Sequence, residues 1–144
     1  MHFPMFVDLT GKKTVVVGCG HIALRRIRVL LQFGAAVTVI APESLELPEG
    51  VTYLPRTYRS GDLQGAFLAV AATDDRQVNR QVGLDARALG IPVTVADRQE
   101  ECTFFFPAVC TGENLVAGVV SDGTDHHKTA RAAKAIRSVL EELQ

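Results

Sequence analysis

No apolar run in the sequence approaches the roughly 20 residues that a bilayer-spanning helix needs. The opening, Met1-His2-Phe3-Pro4-Met5, has neither a basic leader nor a signal-like apolar core. A cytoplasmic protein without a membrane partner is the expectation. Charge of one sign is not in excess either: 15 Lys and Arg stand against 16 Asp and Glu, a formal net charge of -1, which lacks the basic balance of a nucleic-acid binder. The three cysteines, Cys19, Cys102 and Cys110, are odd in number and lack the paired spacing of a zinc knuckle, so neither a disulfide framework nor a metal site is expected. Internal repeats, low-complexity stretches and obvious linkers are also missing. What is there, 144 residues with 47% hydrophobic and 22% charged side chains, describes an ordinary globular chain of the size that buries about two-thirds of its unfolded surface.

Short β-branched runs alternate with amphipathic stretches, the pattern of a parallel sheet covered by helices. Thr14-Val15-Val16-Val17 reads as a buried strand ending in Gly18-Cys19-Gly20. From Ile22 to Phe33 the apolar residues Ile22, Ala23, Ile27, Leu30 and Leu31 recur at helical spacing, and Gly34 stops the helix. Ala36 to Ile40 is a second strand, which completes a βαβ unit. Val51–Leu54 and Phe67–Ala71 read as two further strands, and Thr73-Asp74-Asp75 offers a cap for a helix running to about Leu89. Pro92–Val95 is the fifth strand. After Asp97 the grammar changes: Thr103–Phe106 and Leu115–Val120 are strand-like with only Thr111–Asn114 as a turn between them, which predicts an antiparallel hairpin. A last helix from about Thr129 to Leu143 is expected to bury Ala132, Ala133, Ile136, Val139, Leu140 and Leu143. The fold class predicted is therefore α/β, a Rossmann-like parallel sheet flanked by helices with a C-terminal β-hairpin and a terminal helix. Residues 1–100 form the dinucleotide-binding part and 101–144 a hairpin-and-helix segment for dimerisation and substrate binding.

Gly18-Cys19-Gly20-His21-Ile22-Ala23 is a G-x-G-x-x-A turn between a buried strand and a helix, the context that gives a weak pattern meaning. Gly18 permits the tight turn, Gly20 lets backbone amides approach a pyrophosphate, and Ala23 lets the helix pack closely on the strand. Free amides and the helix dipole would meet the phosphate charge. Small residues here also serve packing alone. The second strand ends in Ile40-Ala41-Pro42-Glu43 with no acid at its tip and no arginine for a 2′-phosphate. Glu43 is the available ribose ligand, and NAD is favoured over NADP.

Four stretches together resemble the precorrin-2 dehydrogenase family, found as the N-terminal module of siroheme synthase and as free-standing dehydrogenases, some of them also ferrochelatases. They are Pro4–Leu9 with Gly11-Lys12-Lys13; the glycine loop through Arg25-Arg26, Leu30-Leu31 and Gly34-Ala35 to Val37–Pro42; Ala71–Asp75 with Val78-Asn79; and Val95-Ala96-Asp97 with Phe104 and Phe106-Pro107-Ala108. The resemblance implies NAD-dependent oxidation of precorrin-2 to sirohydrochlorin. It places cofactor contacts on His21, Ile22, Pro42 and Glu43, Thr73 near the nicotinamide, and a catalytic aspartate at Asp97. A carboxylate beyond a strand end can accept a proton from the macrocycle; the same residue also suits a turn cap. Ser121-Asp122-Gly123-Thr124 matches the family's Ser-x-Gly-Thr turn, implying that Ser121 lies close to the tetrapyrrole. Lys128, Arg131, Lys134 and Arg137 trace a basic face that suits a polycarboxylated substrate or, equally, plain solvation, with Lys128 and Arg131 expected among the substrate contacts.

Three departures stand out. Cys19 replaces the family's middle glycine and reads as packing, while Asp125-His126-His127 replaces its Ser-Pro and reads as an exposed helix cap with at most one metal ligand. The family also typically continues into a helical dimerisation region, so the chain is expected to be either cut or a short homologue, with an apolar helix face that seeks a second copy in a homodimer. The competing reading, a non-catalytic NAD-sensing module, explains the glycine turn but gives no reason for Asp97 followed by Phe106-Pro107-Ala108.

Overall fold

Runs such as Val15-Val16-Val17, apolar without alternation, suit a strand whose side chains are buried on both faces of a sheet, and a computed structural model of residues 1–144 places them there. Strands β1 (Lys13–Val17), β2 (Ala36–Ile40), β3 (Thr52–Leu54), β4 (Leu68–Ala71) and β5 (Val93–Val95) pair in parallel in the order β3-β2-β1-β4-β5. Val15 and Val16 have no solvent exposure, and Val15, Val17, Ala69, Ala71, Val93 and Leu63 share one core with Val82 and Ala86 of a helix. Helix α1 (His21–Gln32) buries Ala23, Leu24, Ile27 and Leu30. It ends at Gly34, whose φ of 77° is open to glycine at little strain, with the Ala35 N–H returning to the Leu30 carbonyl. Helix α2 (Arg76–Ala88) starts on Asp75, whose carboxylate accepts from the Gln77 and Val78 N–H groups. The segment between β3 and β4 is held by Arg56 on both carboxylate oxygens of Asp62, at 2.8 and 2.9 Å, and the guanidinium holds that carboxyl below its usual range. Tyr58 donates to Asp85 at 2.7 Å.

Val7–Phe104 form one compact unit; Met1–Phe6 with Phe105–Gln144 form the other. In the second, β6 (Ala108–Gly112) and β7 (Leu115–Val119) make an antiparallel hairpin and α3 (His126–Glu142) lies on it.

Two expectations need correction here. The first hairpin strand is Ala108–Gly112, not Thr103–Phe106. Only Glu113 and Asn114 separate the Gly112–Leu115 pair, with Asn114 at φ 59°, so the strand that enters the turn has to end at Gly112. Thr103 is used elsewhere: its N–H donates to the Val93 carbonyl at 2.8 Å and its hydroxyl accepts from the Val93 N–H at 2.9 Å. The second correction concerns α3, which buries only Ala133 and Leu140, half-buries Ala132 and Ile136, and leaves Val139 and Leu143 at 53% and 67% exposure. A two-stranded ribbon is too narrow to cover a wide helix stripe. Contact is confined to one seam, where Gly112 lets the Leu140 side chain come close.

Candidate dinucleotide site

Chain order reverses between β1 and β4, so the loops leaving these neighbours diverge and open a crevice at the carboxyl ends of the strands. The loop after β1 is set by one tight contact. Gly18 has φ 107° and lies so close to β4 that a Cβ there would stand 2.2 Å from the Ala72 carbonyl oxygen. Its N–H bonds the Ile40 carbonyl at 2.8 Å, and the Ala72 N–H bonds that of Val17 at 2.9 Å. The turn is thereby tied to both neighbours of β1. Gly20 is different. Its φ of -88° suits any residue, and a Cβ would meet nothing within 4 Å. Packing therefore does not require glycine at this position, which is exposed at the N-terminal cap of α1.

That start is bare. No side chain caps α1 and no acid lies in its first turn, whereas α2 and α3 are capped by Asp75 and Asp125. The earliest N–H groups of α1, those of His21, Ile22 and Ala23, precede the first helical bond from Leu24 to Gly20 at 2.9 Å. Such donors, at the positive end of the helix dipole, suit a diphosphate. His21 and Ile22 are exposed beside them, Ile22 at 49%. Ala23 is fully buried against the sheet, as the small third residue of the motif should be.

The loop beyond β2 is fastened to the glycine turn by a Leu45 N–H donating to the Cys19 carbonyl at 3.4 Å. Tyr53 steadies its root through a 2.9 Å bond to the Ala41 carbonyl. Pro42 and Glu43 are exposed on this loop, which is where an acid reaches the ribose hydroxyls. Cys19 is buried, and burial pushes its thiol pKa up, so the residue packs as a neutral group.

Across the crevice, Thr73 follows β4. Its N–H and hydroxyl both donate to the side-chain Oδ1 of Asn79, at 3.0 and 2.7 Å, while the hydroxyl accepts from the Asp75 N–H at 3.1 Å. Asn79 is fully buried and returns a bond to the Thr73 carbonyl at 3.0 Å. Thr73 thus lines the crevice with a hydroxyl already engaged in shaping the loop. Asp97 lies just beyond β5, 39% exposed, with Oδ1 held by Arg76 at 2.7 Å. The other arm of Arg76 is paired with Glu101. Neither Arg76, Glu101 nor Asn79 is singled out by sequence reasoning as a site residue. For Arg76 the signal is topological, since the first residue of α2 and the residues after β5 come to the same edge of a parallel sheet.

In the unit formed by residues 1–6 and 105–144, a cleft of about 730 Å³ is lined by Met1, His2, Ser121, Asp122 and Lys128 among others. Arg131 is exposed on α3 outside that lining, and Arg137 donates to the Val109 carbonyl at 3.0 Å. Asp125 caps α3 by accepting from the Lys128 N–H at 2.9 Å, with His126 and His127 exposed after it.

A family described as "Putative NAD(P)-binding" matches residues 5–108, most of the chain and the whole of the crevice just described. The chain belongs to this NAD(P)-binding family. Its relatives within and around the family are consistent in kind. The "Probable multifunctional siroheme biosynthesis protein HemA" of Ruminiclostridium josui is 44% identical over 144 residues, 95% of this chain and 28% of that one. The siroheme synthase of Azotobacter vinelandii is 41% identical over 140 residues, 93% of this chain and 30% of that one. Among solved structures, "SirC, precorrin-2 dehydrogenase" superposes with a TM-score of 0.76 at 28% identity, covering 98% of this chain and 72% of that one. The chain thus spans under a third of the length of these curated relatives.

The bare helix start and the space over Gly20 fit the dinucleotide that the family binds. Filling that space should therefore harm the cofactor and spare the fold. Gly20→Val is expected to raise the Kd for NAD about tenfold, roughly 1.4 kcal/mol, with the melting temperature lowered by only a few degrees for the poorer cap, worth at most about 1 kcal/mol. Isothermal titration against thermal melts checks this; an unchanged Kd would remove the diphosphate from this position.

Proposed function

We propose that the chain oxidises precorrin-2 to sirohydrochlorin, passing a hydride to NAD and releasing a proton. The observation that carries the reading is the placement, at the carboxyl end of the sheet, of an uncapped helix start after β1 and, after β5, a carboxylate that Arg76 holds by one oxygen. NAD supplies the hydride acceptor. The protein's own part is to hold the diphosphate on the amides of His21, Ile22 and Ala23, to meet the ribose with Glu43, and to keep the crevice wall rigid through Thr73 and Asn79. Asp97, through Oδ2, takes the proton that leaves the macrocycle. The siroheme synthases and the precorrin-2 dehydrogenase to which the chain is similar support this substrate.

Ser121, Lys128 and Arg131 are proposed contacts to the substrate's carboxylates, supported by the cleft that Ser121 and Lys128 line and by the exposed cation of Arg131. A homodimer built through residues 101–144 is proposed as well, supported by the exposed Val139 and Leu143; no helix is long and apolar enough to cross a membrane, and the reaction is assigned to the cytoplasm. The test is anaerobic incubation of the protein with precorrin-2 and NAD. Matched growth of NADH and sirohydrochlorin absorbance is expected. Tight NAD binding with no turnover would favour a nucleotide-sensing module instead.

A further inference from the structure

We propose that Arg76 is a positioning residue for this dehydrogenation: one arm of its guanidinium fixes the Asp97 carboxylate while the other is anchored on Glu101. This rests on the reading of Asp97 as the proton acceptor. Asp97 stands on an exposed turn where, unassisted, its side chain would sample several rotamers. Arg76 removes that freedom by holding Oδ1 at 2.7 Å and leaving Oδ2 for the reacting proton.

The anchor is itself fixed. Glu101 ends a short 3₁₀ turn over Gln99–Glu101, and its carbonyl accepts from Arg87 of α2 at 2.6 Å. The next residue, Cys102, takes the Val95 N–H on sulfur at 3.1 Å. Residues 97–102 are therefore gripped by two arginines of α2, Arg76 and Arg87, and by Val95 of β5. Helix stability gives no reason for the arginine: it occupies the first turn of α2, where a cation opposes the helix dipole. Nor does ordinary ion pairing, because pairs as exposed as this one, 28% for Arg76 and 39% for Asp97, add little to folding. What the fork geometry does provide is a fixed direction for a carboxylate, which a point charge on a lysine does not.

The experiment compares Arg76→Met, Arg76→Lys, Asp97→Ala and the Arg76→Met/Asp97→Ala double variant of the full chain, measuring kcat and KM with precorrin-2 and NAD together with melting temperature. Arg76→Met should lower kcat about tenfold, a part of the roughly 10²- to 10⁴-fold that a placed acid or base contributes. KM for NAD and the melting temperature should hardly move, and Arg76→Lys should recover only part of the rate. In the Asp97→Ala background, removing Arg76 should have no further effect, because its action passes through Asp97. Full activity in Arg76→Met alongside an impaired Asp97→Ala overturns the positioning role alone, as does an equal loss in both backgrounds. Full activity in Asp97→Ala overturns the assignment of the proton acceptor and the role of Arg76 with it.

Discussion

Replacing Asp97 by alanine should lower the rate of precorrin-2 oxidation at least about 10²-fold, the lower end of what a positioned general base contributes, while the affinity for NAD stays within a factor of two or so. The two readouts separate because the carboxylate and the amides proposed to hold the diphosphate sit on different elements. Asp97 follows β5, whereas the amides open α1 after β1. The fold should tolerate the change, since Arg76 keeps Glu101 as a partner when Asp97 is gone. Stopped-flow absorbance under anaerobic conditions gives the rate and titration calorimetry the affinity. Retention of the unaltered rate would show that the proton leaves by another route.

Gly18→Ala is expected to destabilise the protein by about 3 kcal/mol or more, through backbone strain and overlap acting together. At φ 107° any side chain is strained, and here the added methyl would have to displace the Ala72 carbonyl from 2.2 Å. The carbonyl cannot withdraw freely, because the Ala72 N–H is bonded to Val17 in the β1–β4 ladder. Urea unfolding monitored by circular dichroism measures the loss; a drop under about 1 kcal/mol would mean that the loop relaxes at little cost. Two glycines of one motif thus have opposite duties. Gly18 is demanded by the chain itself, whereas nothing in the chain packs where a side chain at Gly20 would stand.

Much of this was legible in the residues because parallel strands buried on both faces are written as unbroken β-branched runs, and because Gly34 marks a helix end by the backbone it allows. The glycine turn was legible through its context, since it lies between a buried strand and a helix. Less legible was whatever depends on distant partners. Thr103–Phe106 has the composition of a strand, but the hairpin's register was decided by Asn114 and Gly112 further on, and Thr103 was claimed by Val93. The α3 stripe looked wide enough for burial at Val139 and Leu143, yet the width of the surface beneath a helix is not written in the helix. The Arg76–Asp97 contact joins residues 21 positions apart, and nothing in local spacing announces it. Thr73 could be read as a crevice residue, but its lock onto the buried Asn79 could not, since a polar side chain at a helical inward position reads as an exception until its partners are seen.

A dinucleotide bound at the unfinished start of α1, as proposed, would also make the chain's durability depend on its coenzyme. A ligand that binds only the native form adds stability in proportion to the logarithm of its excess, about 2.7 kcal/mol at a hundredfold over Kd. Protein stripped of dinucleotide keeps its first-turn donors facing water and forgoes that increment. Resistance to heat and to proteases would then rise and fall with the supply of NAD.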